Sequence, residues 1–206
     1  MSSEKLTHSE KKRKAIIKAS ISMFTEQGFE GAKMDDIAER AGVSKQTIYS
    51  HFGSKEKLFE GITEQLCSDY AQLFETNAEQ YENDPKEGLK RTMCHIMPEI
   101  CSEDKLSICR LIYASTPRCS KLGEIHLSLV KEYRQQFAAY FQKLSDRGVL
   151  MPLDDPDKVA QDFMSLCKSS VFFDSLCSTT PLFTDEELRA CAERGVDVFF
   201  RAYAPR

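Results

Sequence analysis

MDDIAERAGVSKQTIYSHFGSKEKL, Met34 to Leu58, decides how this chain is read. Two short helical patterns meet at Gly42. Ile37, Ala38 and Ala41 give the first an apolar face, and Val43, Ile48 and Phe52 give one to the second. Ala38 stands four residues before Gly42 and Ile48 six after it. A sharp helix-turn-helix needs that spacing. A small residue lets the helices approach, a glycine takes the positive φ of the turn, and a branched apolar residue plugs the angle. Ser44 then stands where an N-cap belongs. Lys45, Gln46, Thr47, Tyr49 and Ser50 are left on the second helix once its apolar face is packed. Such hydrogen-bonding side chains suit a helix that enters a DNA major groove.

Outward from this stretch, helical periodicity covers almost the whole chain, and no convincing strand or internal repeat interrupts it. Thr7 and Glu10 have capping-box spacing, and Ile16, Ala19, Ser20, Met23 and Phe24 follow as a helical stripe until Gly28. Gly53-Ser54 separates the second short helix from a long one carrying Leu58, Ile62, Leu66, Tyr70, Leu73 and Phe74, expected to run to about Tyr81. Asn83-Asp84-Pro85 is a turn that starts a fifth helix, which is expected to end or kink at Pro98. A sixth is expected over 105–115, closed by Pro117, and a seventh over 121–147, stopped by Gly148. Two more follow, at 157–177 and 185–203. The fold class is therefore all-α with about nine helices, divided into a helix-turn-helix unit, 1–57, and a larger helical unit, 58–206.

The net charge of −4 is unevenly spread. Residues 1–57 hold 11 Lys and Arg against 8 Asp and Glu, and the rest hold 17 against 24. The basic excess thus lies with the helix-turn-helix, where phosphate would be met, and the acidic remainder has no reason to touch nucleic acid. With 41% hydrophobic and 29% charged residues, the composition is that of an ordinary globular protein. No apolar run has the length of a membrane span, and MSSEKLTHSEKKRK lacks the apolar core of a signal peptide, so a cytoplasmic location without membrane attachment is expected.

The run GFEGAKMDDIAERAGVSKQTIYSHFGSKEKLF, Gly28 to Phe59, resembles the DNA-binding domain of the TetR family of bacterial transcriptional regulators. CRLIYASTPRCSKLG (Cys109 to Gly123), DRGVL (Asp146 to Leu150) and the terminal VDVFFRAYAP resemble the AcrR/AefR-like regulatory domain of that family. The resemblance implies a homodimeric regulator, a repressor on a near-palindromic double-stranded operator, released by a small, largely apolar effector molecule. It puts Tyr49, His51 and Lys55 on phosphates, while Lys45, Gln46 and Thr47 have the chemistry for guanine, adenine and the thymine methyl. Lys33 departs from the family, which usually has a capping Ser or Thr there. Two readings stay open, a phosphate contact and a tolerated substitution.

The last two helices have wide apolar stripes, with Val159, Phe163, Ser170 and Phe173 on one and Cys191, Gly195 and Phe199 on the other. Such width suggests burial on two sides, in the monomer and against a copy. The resemblance implies pairing there, so Phe163, Ser170, Phe173, Cys191, Gly195 and Phe199 are the expected dimer contacts. It also implies an effector cavity among the middle helices. Met93, Met97 and Phe163 are candidate apolar lining, with Cys109, Tyr113 and His126 as polar tips; the plainer reading makes most of these core.

Eight cysteines, at 67, 94, 101, 109, 119, 167, 177 and 191, are many for the cytosol, yet none forms a CxxC pair. Most are read as small buried hydrophobes. A thiol-sensing regulator stays as the alternative, with Cys101 and Cys119 near helix ends as its accessible thiols. A cysteine-dependent enzyme is the reading from another class. No GxSxG elbow, P-loop, GxGxxG run or HxxxH pair is present, so neither an enzyme nor a cofactor nor a metal is expected.

Overall fold

The computed structural model describes residues 7–116 and 120–205, with the side chains of 65–69 excepted. The expected closure of the sixth helix by Pro117, and the side chains of Leu66, Cys67 and Cys119, lie outside the described residues. Within them the chain is helical, without a strand: α1 (His8–Gly31), α2 (Met34–Ala41), α3 (Lys45–Phe52), α4 (Lys55–Gln80), α5 (Pro85–Ile100), α6 (Glu103–Ser115), α7 (Ser120–Asp146), α8 (Pro156–Leu176) and α9 (Asp185–Ala202). No helix among the described residues is long and apolar enough to cross a membrane.

Local chemistry explains most helix starts. Thr7 and Glu10 form a reciprocal capping box at α1, and Thr184 and Glu187 form another at α9. Asp84 and Asp155 each accept a backbone N–H at N3 and are each followed by a proline at N1, a position where the missing N–H costs nothing. Two expectations need correction. Helix α5 does not stop at Pro98 but runs on to Ile100. With only two residues beyond it, the proline forfeits one hydrogen bond in a final turn that would fray anyway. Helix α8, expected to be unbroken, has a non-helical residue at Ser169, φ 48° and ψ −153°. A side-chain-bearing residue pays strain of about 1–3 kcal/mol there, so tertiary packing rather than local preference imposes the break.

By compactness the chain forms two units, residues 1–66 with 107–126, and residues 67–106 with 127–206. The first has a core of Ile16, Phe24, Phe29, Ile37, Ile48, Leu58, Phe59 and Ile62, each at most 2% exposed. Phe24, Phe29 and Phe59 pack ring on ring with centroids 5.3 to 6.1 Å apart. In the second unit α5, α7, α8 and α9 enclose Met97, Phe141, Leu144, Ala160, Phe163, Ala192, Val196 and Phe199, none with any exposed area.

Candidate nucleic-acid interface

Gly42 ends α2 in the left-handed region, φ 66°. Its N–H and that of Val43 both donate back to the last turn of α2, which satisfies carbonyls the helix leaves open. Ser44 then caps α3: its Oγ accepts the Thr47 N–H at 3.1 Å. Ile48 is fully buried, while Lys45, Gln46, Tyr49 and Ser50 are exposed. The turn, the cap and the plug therefore act together, and one face of a two-turn helix is presented to solvent with its polar groups outward.

These side chains are not equally free. Lys45 Nζ is 2.9 Å from Asp35 Oδ2, and this bond to the carboxylate raises the ammonium's pKa. Ser44 Oγ and Thr47 Oγ1 share a hydrogen bond of 2.8 Å, and Ser50 Oγ donates to Thr47 O at 2.8 Å. Gln46 and Tyr49 lie on the open face, Tyr49 at 43% exposure. His51 is half-buried, its ring 6.1 Å from that of Phe52. Lys33 occupies the N-cap position of α2 and makes no side-chain cap bond, so the departure from Ser or Thr does remove a cap. Lys55 is half-buried, and its Nζ donates to Glu30 O and Ala32 O at 3.2 and 3.1 Å.

The six expected effector residues do not form one cluster within either unit. Cys109, Tyr113 and His126 belong to the first, with Tyr113 51% exposed, and Met93, Met97 and Phe163 to the second, where they are core. The sequence reading missed a polar patch inside the second unit. The hydroxyls of Tyr70 and Tyr133 are buried there, and their rings meet edge to face at 6.1 Å. Gln136, one helical turn from Tyr133, has a buried Oε1 that accepts no hydrogen bond from the described residues. Phe74 lies 4.6 Å from Phe137 and 5.2 Å from Tyr140, and Lys105 sits 4.7 Å above the Tyr70 ring.

The six expected dimer contacts are differently placed within the chain. Phe163 and Phe199 are fully buried within one chain, 5.0 Å apart, and Gly195 is buried where α9 crosses α8. Their stripe is covered by the chain's own helices. Cys191 is half-buried with its Sγ 3.8 Å from Cys167 O, while Ser170 and Phe173 are exposed. Burial pushes the Cys167 thiol well up, and burial with help from Glu193 pushes Cys94 up to about 11. Cys101 is half-buried, and the exposed thiol among the described cysteines is Cys177, which the sequence reading did not single out. Among the described residues no group of three or more His, Cys, Asp or Glu is placed to hold a metal ion.

Two family models match the chain. The one described as bacterial regulatory proteins, tetR family, covers residues 16–62, and the one described as AefR-like transcriptional repressor, C-terminal domain, covers 87–205. The HTH-type transcriptional regulator AcrR of Shigella flexneri is 26% identical over 113 residues, 55% of this chain and 52% of that protein. The chain spans about half the length, or less, of the curated relatives it matches. A TetR-family transcriptional regulator from Mesorhizobium loti MAFF303099 superposes with a TM-score of 0.75 at 27% identity, over 97% of this chain and 100% of that one. The flavonoid-responsive regulator FrrA does so with a TM-score of 0.66 at 25% identity, over 95% and 98%.

Proposed function

The chain belongs to the TetR family of bacterial transcriptional regulators, and from that premise we propose that it is a cytoplasmic homodimeric repressor, released from a palindromic operator by a small aromatic effector. The observation that carries the DNA half of this reading is the face of α3, where Ile48 is buried and Lys45, Gln46, Tyr49 and Ser50 point outward. Lys45 and Gln46 read base edges, and Tyr49 and His51 hold phosphates that fix the register. Helix α3 has eight residues, so one copy reads only a few base pairs, and a second copy roughly 34–36 Å away supplies the rest.

The effector half rests on Gln136 and the rings near it. A buried carbonyl oxygen without a donor costs about 1–3 kcal/mol, which an arriving hydroxyl recovers. Phe74, Phe137, Tyr140 and the Tyr70–Tyr133 pair pack on one another along the same stretch of α7, so a molecule entering beside Gln136 would meet aromatic rings. A phenolic compound meets both needs, and one structurally similar protein is named for its response to flavonoids. The effector works by preferring the conformation in which the two α3 helices no longer match adjacent major grooves, with α4 as the lever. DNA then weakens effector binding by the same factor, roughly 5–150-fold for a typical coupling.

Selection of DNA fragments by the purified protein tests the reading. The expected yield is a pseudo-palindrome bound by two chains, with binding relieved by a phenolic compound and the relief lost in Gln136→Leu. Equal affinity for selected and scrambled duplexes at physiological salt would refute it.

A further inference from the structure

Helix α3 has eight residues, too few to hold a direction by itself, so the side chains that anchor it fix its axis. Ile48 and Phe52, four residues apart, lie on one face. Ile48 has no exposed area and pins the helix to the core. Phe52, the last residue of α3, is only half-buried, so burial alone does not hold this second anchor.

What does hold it comes from α1 and α4. The Arg13 guanidinium lies over the Phe52 ring, with Cζ 5.4 Å from the ring centroid. The ring also meets α4 at Gly61, a buried glycine in the helix interior. A Cβ there would stand 3.0 Å from Phe52 Cε1, 3.3 Å from Phe52 Cδ1 and 3.4 Å from Arg13 Nη2. Ring and guanidinium thus converge on one stretch of bare backbone. Glycine is a poor residue for a helix interior, and here it leaves the room that both groups occupy. Within the basic run of α1, Lys11 and Lys14 are exposed while Arg13 is half-buried. A planar, weakly hydrated guanidinium suits a ring face better than an ammonium does.

We propose that Arg13 is a positioning residue of the recognition helix: with Gly61 it holds the Phe52 ring and so sets the tilt of α3 about Ile48. The inference rests on the DNA-binding reading above. Phe52 lies about 6 Å along the axis from Ile48, so a shift of ~1 Å at the ring tilts α3 by roughly 10°. Directional contacts to base edges tolerate little more than that. Arg13 therefore acts on sequence discrimination through Phe52, from a helix that enters no groove.

The test compares the full chain with Arg13→Met, Phe52→Leu, the double variant and Gly61→Ala, on a selected operator and on a scrambled duplex of equal length, across a salt series. Arg13→Met is expected to weaken operator binding about tenfold, the scale of one or two lost base contacts, while scrambled DNA is bound almost as before. The slope of log affinity on log salt is expected to stay unchanged. The double variant is expected to be no worse than Phe52→Leu, because the arginine has no ring left to hold. Gly61→Ala is expected to displace the ring and lose discrimination with Arg13 still present. Losses that multiply in the double variant, or equal loss on both duplexes with the slope reduced by about 0.9, would show a phosphate contact and overturn the proposal. So would a lower melting temperature with discrimination intact, which marks a merely structural arginine. Should Phe52→Leu not fold, Arg13→Met and Gly61→Ala decide alone. Wild-type protein that discriminates no duplex would end the DNA-binding reading, and hydrogen exchange without DNA then decides on Arg13. Faster exchange over Tyr49 to Gly53 in Arg13→Met supports the anchor, and unchanged exchange there overturns it.

Discussion

A Cβ on Gly195 would stand 2.6 Å from the Cα of Cys167. Backbone of α8 fills the space on every near side, with Leu166 O at 2.7 Å and Cys167 N at 2.8 Å. Neither helix has a flexible side chain there to give way. Gly195→Ala is therefore expected to destabilise the second unit. Helix propensity alone would favour alanine by up to about 1 kcal/mol, and overpacking opposes it by about 1–3 kcal/mol or more. At roughly 2–4 °C per kcal/mol for a chain of this size, a melting temperature several degrees lower is expected by calorimetry. An unchanged or higher value would mean that α8 and α9 are not held this close.

Lys45 and Asp35 are paired across the helix-turn-helix, at 49% and 66% side-chain exposure. A lysine that reads a base must leave its carboxylate first, and an uncompensated Asp35 repels the nearby phosphates. Asp35→Asn is expected to tighten binding to operator and scrambled DNA alike, most at low salt, since exposed charges are screened as ionic strength rises. Fluorescence anisotropy at several salt concentrations measures this. Affinity that is unchanged at low salt would show that Lys45 stays on Asp35 in the complex and reads nothing.

The buried and open sides of α3 were legible because the signal for them is local. Ser44, Ile48 and Gly42 act within a dozen residues, so periodicity and turn chemistry suffice to say which side of α3 is inward. What the sequence does not carry is non-local. The stripe of Phe163, Gly195 and Phe199 has the right period for burial, but a period does not say whether the chain's own helix or a copy's covers it. Tyr70 meets Tyr133 across more than sixty residues, and Lys55 meets carbonyls more than twenty residues upstream; neither pairing leaves a mark in sequence spacing. The break at Ser169 carries no glycine or proline to announce it.

Cys94 supplies a pH test of the second unit and of the thiol-sensing alternative together. Burial, then the charge of Glu193, holds its folded pKa at about 11 against about 9 for a free thiol. The raised value favours the neutral thiol in the folded state. Its contribution is thus fully present below pH 9 and is lost as pH rises towards 11. At neutral pH the thiolate is about a hundredfold rarer than on an unperturbed cysteine, so alkylation at Cys94 is expected to be slow and to rise only in strong alkali. Cys167 is expected to be slower still, and Cys177 to react first among the described cysteines. Mass spectrometry after timed iodoacetamide treatment reads all three. Rapid labelling of Cys94 at neutral pH would revive a thiol switch.

The outward face of α8 tests the dimer. After the break at Ser169, Phe173 is 60% exposed, and Leu182 in the following loop is 51% exposed. These are large apolar groups in water in the single chain, on one of the two helices from which family membership leads us to propose pairing. Phe173→Glu removes apolar area and sets two like charges opposite each other if the helices pair near a two-fold axis. Because the side chain is not part of the monomer core, the variant is expected to keep its helical content and to lose little thermal stability as a single chain. It is expected to sediment as a monomer at micromolar concentration. With one reading head per particle the second half-site is no longer an intramolecular contact, so operator affinity is expected to fall by roughly 10²–10⁴-fold while binding to an isolated half-site is unaffected. A Phe173→Glu protein that still sediments as a dimer and holds the operator as tightly would move the interface away from this face.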